Sequence, residues 1–91
     1  MLNDDLVLNW NTEKNKQLKQ ERGLCFEDVE IALSTGGFVD DQPHPNQERF
    51  PNQQLLIVLI DGYPCVVPYV RDNEKLFLKT IYPSRKLKSL L

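Results

Sequence analysis

The chain has little of what marks a membrane, metal or disulfide protein. Its longest uninterrupted apolar run in 91 residues is Leu55 to Ile60, six residues against the roughly 20 that a helix needs to cross a bilayer. It holds two cysteines, Cys25 and Cys65, forty residues apart, and one histidine, His44. That set falls short of a tetrahedral zinc site, so neither a metal nor a cofactor is expected. Both cysteines read as small buried hydrophobes, and a disulfide between them is not expected in a reducing compartment. Met1 to Asp5 is acidic and lacks the basic start and long apolar stretch of a signal peptide. A cytoplasmic protein without a membrane partner is therefore expected.

A further absence is local. Residues 75–91 contain no acid but carry Lys75, Lys79, Arg85, Lys86 and Lys88. Residues 1–74 hold all thirteen acids against six bases, a balance of −7 beside +5. The net charge of −2 thus conceals a segregation that can set a cationic patch on an acidic body. A solvated basic tail without a partner would show the same composition.

What is present suits one soluble domain over residues 1–91: 41% hydrophobic and 26% charged, enough for a single modest core at this length. Leu6 to Trp10 reads as a short strand. Asn11 or Thr12 caps a polar helix over Glu13–Arg22, anchored by Leu18 and ended by Gly23. Cys25-Phe26-Glu27-Asp28 has the spacing of a capping box before a second helix, with Phe26, Val29, Ile31, Ala32 and Leu33 as its core face. Phe38-Val39 begins a strand, and Asp40 to Asn46, with two prolines, reads as a loop. Leu55 to Ile60 is a strand covered on both faces, and Asp61-Gly62 is a hairpin turn. Pro64 and Pro68 in the return strand, Tyr63 to Val70, predict a bulge or an edge. Lys75 to Tyr82 alternates as a further strand, and Ser84 caps a terminal helix running to Leu91. The expected architecture is α+β: two N-terminal helices packed on a small antiparallel sheet of three to four strands.

Three stretches together resemble the BrnT-type toxins. Asn9-Trp10-Asn11 with Lys14-Asn15 resembles the family's opening into its first helix. Arg22-Gly23-Leu24-Cys25-Phe26-Glu27-Asp28 is similar to its junction between helices, with Arg22 where the family has histidine and Cys25 where it has serine. Leu78 to Lys86 resembles its closing strand and basic end. The resemblance implies a RelE-like fold and a type II toxin that cleaves RNA and inhibits growth, neutralised by a cognate antitoxin protein.

Metal-independent cleavage of RNA needs a base for the 2′-hydroxyl, cations for the charged phosphorane and an acid for the leaving oxygen. Arg85, at a strand end before a helix, is the best-placed cation, with Lys86 beside it as an RNA contact. Lys79 shares a strand face with Phe77 and Ile81, as a phosphate ligand or as an edge lysine lying along apolar surface. The resemblance adds Arg49 and Lys14, the latter equally able to pair with nearby carboxylates. Histidine is the side-chain type whose unperturbed titration lies near neutrality, and His44 lies in a loop where it is a catalytic acid or base or simply exposed. Tyr69 stacks on a base or packs within its strand. These residues divide two readings: a ribonuclease toxin with an antitoxin and RNA as partners, or a non-catalytic interaction module built on the same fold.

Overall fold

The computed structural model describes residues 6–90; Met1 to Asp5 and Leu91, used above, lie outside them. The elements are β1 (Val7–Trp10), α1 (Thr12–Arg22), α2 (Phe26–Ser34), β2 (Phe38–Pro43), β3 (Gln53–Ile60), β4 (Tyr63–Asp72), β5 (Lys75–Leu78), β6 (Tyr82–Pro83) and α3 (Arg85–Leu90).

Local chemistry explains the helices. The Asn11 side chain accepts the Lys14 N–H at 2.9 Å, and Gly23 closes α1 in the left-handed region at φ 69. At the start of α2 the Cys25 N–H donates to the Asp28 carboxylate at 3.1 Å. Asn15 then joins the two helices: its carbonyl oxygen accepts the Phe26 N–H and its amide donates to Glu27, both at 2.7 Å.

The sheet has six strands in the order β1-β5-β4-β3-β2, with β6 on β4. β1 runs parallel to β5, and the other pairs are antiparallel. This corrects the expected small antiparallel sheet of three to four strands and, with it, the RelE-like arrangement. Two features escape local periodicity. β1 is too short to announce a partner some sixty-eight residues away. β2 continues through Asp40-Asp41-Gln42-Pro43, residues typical of a loop but tolerated on an edge strand.

The prolines also behave differently from expectation. β4 is an interior strand, paired with β3 without a register break from Gln53↔Val70 to Ile60↔Tyr63. The one shift lies between Phe38 and Asp40 in β2. The Pro64 and Pro68 carbonyls accept from Ser84 (3.0 Å) and Lys79 (2.8 Å), on the β5–β6 side. Because a strand residue's N–H and C=O share a side, the missing proline donors fall on that interrupted edge and the β3 ladder stays whole.

Asp61 and Gly62, at φ 52 and 77, make the two-residue turn between β3 and β4. The core lies between the helices and one sheet face, where Leu18, Phe26 and Val29 meet Leu56, Val58, Val67, Leu76 and Leu78. Trp10 stacks on Phe26 with ring centroids 5.5 Å apart. Ile57 and Val66, opposite each other in register, are buried outside this cluster. Ile31, expected in the core, is 59% exposed. No helix among the described residues is long and apolar enough to cross a membrane.

Candidate nucleic-acid interface

The acid-free segment is laid along one edge of β4. β5 pairs with Tyr69 to Asp72, Lys79 N–H reaches Pro68, β6 pairs with Cys65 and Val66, and Ser84 N–H reaches Pro64. At about 3.3 Å per residue, that stretch of β4 from Asp72 to Pro64 is roughly 26 Å long. Lys75, Lys79, Arg85 and Lys86 follow its course, and β1 covers only the part alongside β5. The one ion pair among the described residues is Lys16–Glu13 on α1 at 3.9 Å, so these four cations carry no carboxylate partner there.

An aromatic surface accompanies the charges. Phe77 is 40% exposed, and the Lys79 ammonium lies 4.9 Å from its ring centroid. Tyr82 is similarly exposed on β6. Arg22, at the end of α1, donates from its guanidinium to the Ile81 carbonyl at 2.6 Å. That bond fixes a fifth cation beside the chain between Lys79 and Tyr82, with most of its donors unused. In the sequence Arg22 stands out only as a departure from a family pattern. Its place in the basic last turn of α1 was the available signal.

The other sequence candidates are not gathered here. His44 and Arg49 belong to the connection between β2 and β3. The His44 N–H donates to Gln53 O, and its Nδ1 accepts the Asn46 N–H, both at 3.0 Å. Its ring sits 4.5 Å from Phe50, over which Arg49 also lies at 5.4 Å. Gln53 pairs with Val70, six residues along β4 from the Pro64 that anchors Ser84, or roughly 20 Å. His44 and Arg49 thus stand at the opposite end of the sheet from Arg85 and Lys86. Lys14 is on the helical layer, half-buried in the first turn of α1.

Tyr69 is corrected outright. Its ring is 1% exposed, and its hydroxyl sits between both Asp41 carboxylate oxygens at 2.7 and 2.8 Å. Burial, then the bond to Asp41, pushes the phenol pKa well above its ordinary value. No base can stack on it; Phe77 and Tyr82 are the exposed aromatics of this border. The helix expected to offer amides to a phosphate is also short, and the Ser84 hydroxyl already accepts the Leu87 N–H at 3.2 Å.

Burial raises both thiol pKa values, Cys25 and Cys65, which makes them poor nucleophiles. Among the described residues no three His, Cys, Asp or Glu side chains gather as a metal cage. The border instead offers cations in a row beside exposed rings, an arrangement suited to a phosphodiester backbone with unstacked bases. No protein-family model, curated protein or solved structure matches the chain.

Proposed function

We propose that this chain is the toxin of a two-protein toxin–antitoxin pair, acting on RNA as a metal-independent endoribonuclease along the β5–β6–α3 border. The observation that carries the proposal is the pairing of β5 and β6 with the same edge of β4. It turns an acid-free stretch of sequence into a line of cations interleaved with Phe77 and Tyr82. Cleavage joins the 2′ oxygen to phosphorus and breaks the bond to the 5′ oxygen, with one proton leaving and another delivered. In this scheme Arg85 stabilises the phosphorane charge, while Lys79, Lys86 and Arg22 hold flanking phosphates and Phe77 stacks on a base. The antitoxin is a separate protein that blocks growth arrest.

A second reading, a non-catalytic interaction module, is favoured by one observation: His44 stands at the far end of the sheet and no carboxylate lies within residues 75–88. One experiment separates the two. Induced expression is followed by growth, and purified protein is assayed for RNA cleavage beside Arg85→Ala and Arg85→Lys. The ribonuclease proposal expects growth arrest, a loss of about a hundredfold or more in rate for alanine, and partial rescue by lysine, which keeps charge without the bidentate fork. Wild-type protein that binds RNA but neither cuts it nor arrests growth would establish the interaction module instead.

A further inference from the structure

At the turn that leads into the Pro64 end of β4, beside the end of the cationic border, the molecule has a surface of opposite character. Residues 23–70 contain seven acids and a single base, Arg49. Within that region a groove of about 430 Å³ runs between the C-terminal turn of α2 and the β3–β4 turn. Its apolar lining includes Ile31, Ala32 and Leu59, part of its wall is the bare backbone of Gly37, and its two charged lining residues are Asp28 and Asp61. The C-terminal end of α2 adds the negative pole of the helix, and its last turn holds no base to offset it. Gly37 is required where it stands: a Cβ there would lie 2.9 Å from the carbonyl oxygens of Ala32 and Leu59. Ile31 leaves 59% of its surface in water at the same place.

We propose that this groove docks a short segment of a partner protein that presents an aliphatic side chain flanked by lysine or arginine. Charge complementarity selects the occupant. Two carboxylates and a helix C-terminus repel a phosphodiester strand and attract cations. A free polyamine would satisfy the charges but leave Ile31 and Leu59 in contact with water, whereas an aliphatic residue covers them. The chain's own α3 carries bases too, yet it packs on β4 with Lys88 5.6 Å from the Tyr63 ring. The proposal does not rest on RNA cleavage, because a chain that cuts nothing keeps the same groove.

The test is an amide NMR titration of the full chain with a ten-residue lysine–leucine peptide, a glutamate–leucine counterpart, and spermidine. The lysine–leucine peptide is expected to shift the amides of Ile31, Gly36, Gly37 and Gly62 in a saturable manner that weakens with salt. Asp61→Asn, which tolerates the left-handed backbone at that position, should weaken binding about two- to fivefold. Ile31→Ser should weaken it by up to about tenfold. Both changes are at exposed positions, and an otherwise unchanged spectrum verifies the fold. Shifts that map elsewhere, variants that bind as tightly as wild type, or an equal response to spermidine or the glutamate peptide would overturn the proposal. So would the same shifts arising with protein concentration alone, since the occupant would then be a second copy.

Discussion

Tyr69 illustrates how much one side chain depends on what surrounds it. In sequence it is an aromatic in a strand, open to packing or to base stacking; in the fold, its hydroxyl ties β4 to Asp41 on β2 across β3. Tyr69→Phe should cost about 1–3 kcal/mol, because the Asp41 carboxylate loses its donor, as measured by urea unfolding. The pH dependence has a definite sign. The folded pKa is raised above the ordinary value of 10.0, so the protonated phenol's contribution is intact below pH about 10 and is lost as pH rises further. Wild type should therefore lose stability between pH 9 and 11 more steeply than Tyr69→Phe, with one phenol titrating only on unfolding. Arg22 is the converse case, a residue whose position only the fold assigns. Arg22→Ala should lower the log–log salt slope of single-stranded RNA binding by about 0.7, and Arg22→Lys should restore it. If the guanidinium is only a clasp on Ile81, thermal stability will fall and the slope will not move.

At the scale of elements, the division between legible and illegible follows the range of the interactions. Helix caps are written locally, so Asn11 and Gly23 mark α1, and the Asp61-Gly62 turn follows from the two residues that accept its backbone. β3 was plain because six consecutive apolar residues need cover on both faces. Replacing Ile57, 3% exposed, with alanine should cost about 2–5 kcal/mol in denaturant titration; a loss under half a kilocalorie would mean that this second face collapses freely. The β1–β5 pairing was invisible because a parallel partner has no turn to announce it. Asn15 was hidden for a similar reason: its role lies between α1 and α2. Asn15→Ala should cost about 1–3 kcal/mol by leaving the Phe26 N–H without its acceptor. It should also return the Glu27 carboxyl, held low chiefly by the Asn15 amide, toward its ordinary pKa. That carboxylate's contribution is present above pH about 4.5 and fades as pH falls, so the variant's acid limb should be shallower. Of the candidate site, the acid-free segment and Arg85 were legible as composition. The separation of His44 and Arg49 from them was not, because it depends on which end of β4 each loop reaches.

For the whole molecule, the decisive property is that the acid-free segment stays together along one edge of β4. Acids nevertheless stand at both ends of that edge: Asp72 is opposite Lys75 in the β4–β5 ladder, and Asp61 is two residues from Tyr63, over which Lys88 lies. RNA binding along β5–β6 and peptide binding in the groove, as proposed above, draw on different residues. Raising salt should weaken each separately, and a charge change on the acidic side should leave RNA affinity within about a factor of two. The parallel contact between β1 and β5 carries a temporal consequence. Leu8 and Trp10 meet Leu76 and Leu78, so the first strand described pairs with one sixty-eight residues further along. Such distant pairing makes loop closure a late and slow step. On a ribosome, β1 must wait for Lys75 to Leu78 to emerge before that contact can form. Until then the edge that β1 offers to β5 has no partner strand, an open edge for the length of that wait.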